Sequence, residues 1–213
     1  PSTSNGWVNN SLLSLAVYID DCITINTFFF TVLVEVPAYL TTIDLSNNIL
    51  LDTIHLGFNE LTSIKGLNNA KNLKWLSLSG NLFTEFTIEN PSIRNLLMSH
   101  NELVSFEASQ CPNLRSVLLK INKIESLDFS NSPLLETLIF SANRVKSIDL
   151  SNNLNLKYVW CSSNLFTNFD VSKLTKLADL RIDRNPTLNC IKIAPGQQIP
   201  TLKLSDYQTA NIN

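Results

Sequence analysis

Glycine, histidine and charge are all scarce in this 213-residue chain, and each shortage removes a class of function. Only five glycines occur, and none forms a phosphate-cradling loop. The two histidines, His55 and His100, fall two repeats apart without a serine or cysteine nucleophile held by a base, so a catalytic triad lacks support. Four cysteines, Cys22, Cys111, Cys161 and Cys190, show no CxxC pairing, which argues against a zinc site. A formal net charge of −2 gives no electrostatic reason to expect nucleic acid or an anionic membrane as partner. No apolar run reaches the roughly eighteen residues that cross a bilayer. The most apolar stretch, Phe28 to Val36, suits a buried cap strand. No initiator methionine and no signal peptide are seen, so Pro1 is expected to follow a processing boundary. With 44% hydrophobic and 16% charged residues, the chain is globular rather than disordered.

What the chain does have is a repeat. One register, L-x-x-L-x-L-x-x-N-x-L-x-x-L, runs through most of it: LDTIHLGFNELTSI from Leu51, LKWLSLSGNLFTEF from Leu73, IRNLLMSHNELVSF from Ile93. It continues as LRSVLLKINKIESL from Leu114, LETLIFSANRVKSI from Leu135, LKYVWCSSNLFTNF from Leu156 and a partial LADLRIDRNP from Leu177. The asparagines Asn59, Asn81, Asn101, Asn122, Asn143, Asn164 and Asn185 follow at intervals of 22, 20, 21, 21, 21 and 21 residues. Such a period is the signature of a solenoid.

Each position has a physical task. Side chains alternate along the L-x-L core, so Leu76 and Leu78 point inward while Trp75, Ser77 and Ser79 point out. Successive turns pair these strands in parallel into one sheet. The asparagine stands where the chain leaves the strand, and its amide satisfies backbone groups that the bend would otherwise bury unpaired. The column is therefore a structural asparagine ladder. A second strand-like segment follows, as in SLDFS at 126–130, SIDLS at 147–151 and NFDVS at 168–172. Twenty-one residues leave little room for a full helix, so extended, turn or 3₁₀ structure is expected there. Ordering one repeat costs more conformational entropy than its own apolar side chains return when buried. A lone repeat fails; a stack succeeds.

The phrases IDLSNNLNLKYVWCSSN at 148–164 and NPTLNCIKI at 185–193 resemble the leucine-rich-repeat family, in its short bacterial class of about 21 residues per repeat, which includes the cysteine-bearing internalins. The resemblance covers roughly residues 38–193. It implies an α/β-type, β-dominated, right-handed leucine-rich-repeat solenoid with a parallel concave sheet and an extended or 3₁₀ convex side. It also implies attachment or protein binding outside the cell, secreted or at the cell surface. One departure stands out. Only Cys161 occupies the strand position where such proteins stack a cysteine column, and Leu56, Leu78, Met98, Leu119, Phe140 and Ile182 hold the equivalent places.

The ends need capping. Residues 1–39 are expected to form an N-terminal cap, 40–193 an array of about seven turns, and 194–213, with Pro195, Gly196 and Pro200, an exit segment or linker. Cys22 and Cys190 would lie too far apart to bridge; one reading of Cys190 is that it pairs with a cysteine beyond Asn213 in a longer parent chain, and the cysteines alone do not fix the redox compartment.

The outward positions of the main sheet form the natural binding face. Its middle column reads His55, Ser77, Leu97, Leu118, Ile139, Trp160 and Arg181, flanked by Thr53, Trp75, Asn95, Ser116, Thr137, Tyr158 and Asp179. The third column is Gly57, Ser79, Ser99, Lys120, Ser141, Ser162 and Asp183, small and solvated, or else a hydroxyl array for a glycan or ice surface. Leu97, Leu118, Ile139 and Trp160 make an apolar stripe over four turns, with Trp75 and Tyr158 as aromatic anchors. A protein or glycan partner is expected there. The alternatives are cover by the chain's own ends or by further domains, and a homodimer contact, as in a structural spacer or dimerisation module of a longer surface protein. Of the charged cluster Asp179, Arg181, Asp183 and Arg184, alternation puts the first three on one face, where two carboxylates flanking an arginine are expected to neutralise one another, although calcium would fit if oxygen ligands came from elsewhere. No cofactor and no catalysis are expected.

Overall fold

The computed structural model describes residues 39–206 throughout, together with short strands at 14–15, 22–24, 31–33 and 211–212. Ten parallel strands form the main sheet: Ser14–Leu15, Thr31–Leu33, Thr53–His55, Trp75–Ser77, Asn95–Leu97, Ser116–Leu118, Thr137–Ile139, Tyr158–Trp160, Asp179–Arg181 and Thr201–Lys203. Each central strand pairs with its predecessor and successor in the repeat, as in Leu118↔Ile139 and Ile139↔Trp160. Every strand from Thr53 to Arg181 buries its middle residue and leaves the two neighbours half-buried or exposed. Leu76 and Leu78 are fully buried, as their alternation requires. The chain is a parallel β-solenoid, and the only helix among the described residues is the 3₁₀ turn Leu67–Asn69.

The convex side carries shorter ladders. Cys22–Thr24, Thr42–Asp44 and Ser63–Lys65 make one sheet, Glu85–Thr87 and Ser105–Glu107 a second, and Asn168–Asp170, Cys190–Lys192 and Asn211–Ile212 a third. Of the three segments expected to run strand-like, 168–172 contains a strand, whereas 126–130 and 147–151 contain none and end in turns at Ser130 and Ser151. Asp44, Asp128, Asp149 and Asp170 each accept the N–H of the serine two residues on, at 2.8–2.9 Å, and so tighten the turn after this segment. The Lys65 ammonium, with the Ser46 turn, holds the Asp44 carboxyl down to about 2. The Ser172 hydroxyl and the Lys192 ammonium do the same for Asp170, also to about 2.

Between the two sides lies a continuous core. Leu56, Leu78, Met98, Leu119, Phe140, Cys161 and Ile182 stack in one buried column. Toward the convex side, Phe106 lies 6.4 Å from Phe86 and 6.2 Å from Phe129, ring centre to ring centre. Phe166 meets Phe140 at 6.1 Å and Phe169 at 4.9 Å, both edge-on.

The bends are where the repeat asparagines act. Asn143 shows the pattern: its Oδ1 accepts from Ile124 N–H at 3.0 Å, and its Nδ2 donates to Phe140 C=O and Leu119 C=O at 2.9 Å each. Asn81, Asn101, Asn122, Asn164 and Asn185 repeat the arrangement one layer at a time. At the first turn, Asn59 accepts from Leu40 N–H. The residue before each asparagine is left-handed: Phe58, His100, Ile121, Ala142, Ser163 and Arg184 have φ of 55–58°, and Gly80 has 72°. Only at position 80 does glycine relieve this bend.

The opposite bend has a ladder that the L-x-L register does not reveal, because its residue type varies. Asn90 Nδ2 donates to Ala70 C=O, Ser132 Oγ to Cys111 C=O, and Asn153 Nδ2 to Phe129 and Ser132 C=O. All three side chains are buried.

The paired strands run past the expected array on both sides. Thr31–Leu33 joins the main sheet ahead of Thr53–His55, within the segment read as a cap; most of 1–39 lies outside the described residues. Residues 194–213 are not a bare exit segment. Thr201–Lys203 pairs with Asp179–Arg181, and Ile199, Leu202 and Leu204 pack on the core, because this stretch still supplies apolar side chains at the inward positions.

Two substitutions test this account. Asn143→Ala orphans the buried Ile124 N–H, although the Leu119 and Phe140 carbonyls keep Asn122 and Asn164 as donors. It should cost about 2–4 kcal/mol in urea unfolding, while Asn152→Ala, whose one bond of 3.5 Å is exposed, changes stability by less than about 0.5 kcal/mol. Ile121 is a β-branched residue at φ 57°, so Ile121→Asn should stabilise by about 0.5–1 kcal/mol. Unchanged or lower stability would refute the strain.

Candidate partner-binding face

The main sheet sets the six expected contact residues on one face. Leu97↔Leu118, Leu118↔Ile139 and Ile139↔Trp160 are direct cross-strand partners. All four side chains are half-buried, each covered partly by the next layer. Trp75 lies two layers before Leu118 in the flanking column, with His55 6.1 Å away, ring centre to ring centre. Tyr158 shares a strand with Trp160 and is 44% exposed, the most open side chain of the six. From Trp75 to Trp160 the face spans four strand steps, about 19 Å.

Trp160 is stacked by Arg181, the next residue of its column and its direct cross-strand partner. The Arg181 guanidinium carbon sits 3.9 Å from the centre of the Trp160 ring, while its nitrogens grip Asp179 at 3.0–3.3 Å. The cation and the indole hold each other in place. The indole N–H groups of Trp75 and Trp160 are both buried without an acceptor among the described residues.

The charged cluster at this end differs from its expected arrangement. Arg181 pairs with Asp179 alone. Asp183 turns away to the Ser162 hydroxyl, which donates to it, and to Arg184 at 3.1 Å, with Lys203 at 4.0 Å. Ser162 and Asp183 are buried, so the third column is not solvated along its whole length; the two side chains satisfy each other and close off that end. No group of three or more His, Cys, Asp or Glu among the described residues could hold a metal ion. His100 is exposed with φ 57°, as a bend residue requires, whereas His55 belongs to the strand Thr53–His55.

This fold, joined to the repeat consensus, makes the chain a leucine-rich-repeat solenoid. Solved structures carry the same architecture. The functional domain of InlJ from Listeria monocytogenes superposes with a TM-score of 0.65 at 20% identity, over 85% of this chain and 50% of that one. The Leptospira interrogans leucine-rich-repeat protein LIC12759 gives 0.60 at 18% identity, over 87% and 62%. The Toll–Spatzle complex from Drosophila gives 0.62 at 20% identity, over 87% of this chain and 27% of that one. This chain thus spans less than two thirds of the length of each. No protein-family model and no curated protein sequence matches it.

The InlJ domain is described as including a cysteine ladder. In this chain the inner column from Leu56 to Ile182 holds one cysteine, Cys161, fully buried between Phe140 and Ile182. Burial pushes its thiol well above the ordinary range, and burial likewise raises Cys111. Cys111, Cys161 and Cys190 are all free thiols, and Cys190 is the more open. With Cys22 replaced by serine, a thiol reagent should therefore modify Cys190 rapidly and the other two only on unfolding. Rapid native modification of Cys161 would contradict the packed column.

Proposed function

We propose that the chain is a non-catalytic recognition module of a secreted or surface-displayed protein, and that its concave sheet binds a protein or glycan partner. The observation that carries this reading is the run Leu97–Leu118–Ile139–Trp160. Four apolar side chains in direct register, ending in an indole braced by Arg181, sit on the outer face of the sheet and not in the core. Water gains nothing from such a ridge, and a partner that covers it gains apolar burial around two aromatic anchors. The flanking hydroxyls of Ser116 and Thr137 supply adaptable hydrogen bonds beside it. The Toll–Spatzle structure offers a parallel in which a solenoid of this fold is seen in a complex. The resemblance to internalin-type repeats favours a location outside the cell, and no helix among the described residues is long and apolar enough to cross a membrane.

A structural spacer that dimerises through the same stripe is the second reading, since any exposed apolar ridge can meet its own copy. Ile139→Asp with Trp160→Asp separates the two. Both side chains point off the outer face, so the double variant should keep its unfolding midpoint within about 3 °C. Under the recognition reading it should lose binding to cell-surface proteins and glycans held by the wild-type chain, with no change in molar mass by light scattering. A switch from dimer to monomer, with no binding lost, would favour the spacer. Global unfolding of the variant would place the ridge in the core and remove the recognition reading.

A further inference from the structure

The residue immediately before each main strand forms a column of its own. Backbone bonds of 2.8–2.9 Å link it layer to layer: Lys74 N–H to Asp52 C=O, Arg94 to Lys74, Arg115 to Arg94, Glu136 to Arg115, and Lys157 to Glu136. Lys74, Arg94, Arg115 and Lys157 are all exposed. From Asp52 to Lys157, six consecutive layers carry four cations and two carboxylates, and the cations Lys74, Arg94 and Arg115 follow one another without a break. Glu136 is already held by both of its neighbours, Arg115 at 2.9 Å and Lys157 at 2.7 Å, and those ammonium and guanidinium groups pull its carboxyl below the usual range. Lys74 and Arg94 enter no ion pair among the described residues.

The other edge of the same sheet is balanced. Glu60 and Glu102 face Lys123 and Arg144 on the layers after the asparagine bend, and Glu102 pairs with Lys123. The convex column holds Glu107, Asp128, Asp149 and Asp170 in successive layers, with Lys65 before them and Lys192 after them, the latter paired with Asp170. Cations therefore outnumber carboxylates along this border of the apolar ridge and not along the other.

We infer that the partner of the concave face is a polypeptide surface with apolar side chains for the Leu97–Ile139 ridge and a flanking row of aspartates or glutamates for Lys74, Arg94 and Arg115. This rests on the recognition reading above and adds the partner's chemistry and direction: its acidic border runs along the solenoid axis on the upstream edge only. Rim charges of this kind act mainly on the association rate and on salt dependence.

The test selects peptides from a random-sequence library displayed on phage against the intact wild-type chain. Each selected peptide is then measured against Lys74→Glu/Arg94→Glu and against Ile139→Asp. The inference expects binders enriched in aspartate and glutamate whose association slows about ten-fold with the charge reversal. That difference should shrink between about 50 and 500 mM salt, as screening shortens the field. Binders that depend on Ile139 but show no acidic enrichment and ignore the reversal would overturn this inference and leave the recognition reading standing. Binders indifferent to Ile139→Asp, or an absence of binders, would sink both. Parallel arms use a single-stranded RNA oligonucleotide and phosphatidylserine vesicles. If either binds as tightly as the peptides and is lost on charge reversal, the row is a general polyanion site and the polypeptide assignment fails.

Discussion

Every turn of this solenoid must bend sharply while buried against the next, and a buried bend leaves backbone N–H and C=O groups with nowhere to go. The asparagine amide answers that demand with three bonds at once, two of them reaching the preceding layer. Asn143 accepts from Ile124 N–H and donates to Leu119 C=O, so the bend of one turn is completed by residues of another. The same geometry forces the residue before it into the left-handed region, even where that residue is Ile121 or Phe58. No layer is self-sufficient. Strand pairing, core columns and the outward face all inherit their register from this shared bend.

The outward face follows from the inward one. Once Leu76, Leu96, Val117, Leu138, Val159 and Leu180 are fixed as core, the residues on either side must face away from it. Whatever they are, they are displayed at strand spacing in straight columns. Evolution of such a surface needs no change in the scaffold, since an outward side chain costs the fold little. The run from Leu97 to Trp160 and the cations beside it are therefore informative because the fold has no use for them.

Most of this architecture was legible in the residues. The recurrence of asparagine at about twenty-one positions, with leucine at fixed offsets, specifies the layers, the main sheet and the inner column, because each demand is local and repeats. The second bend was not legible, since Asn90, Cys111, Ser132 and Asn153 meet the same need with different chemistry. Nor was the termination of the array. Residues after Ile193 lose the asparagine signal yet keep apolar side chains at the right spacing, and Thr201–Lys203 still pairs. On the candidate face, alternation gave the columns but not the rotamers: Arg181 lies over Trp160, and Asp183 folds back onto Ser162.

The 22-residue step between Asn59 and Asn81 inserts the Leu67–Asn69 turn, and the convex ladder is interrupted there, with no pairing between Ser63–Lys65 and Glu85–Thr87. Gly66 permits the insertion, because a Cβ at its φ of 78° would meet the Ser46 backbone at 2.3 Å. The two layers are thus riveted along the inner wall and at the bends but left open along the outer wall, where a cavity of about 360 Å³ is lined by Ile64, Phe83 and Phe86. Outer-wall pairing is missing again from Ser105–Glu107 to Asn168–Asp170, so the inner sheet and the asparagine bends tie the layers together and the outer wall is where neighbouring turns are free to splay.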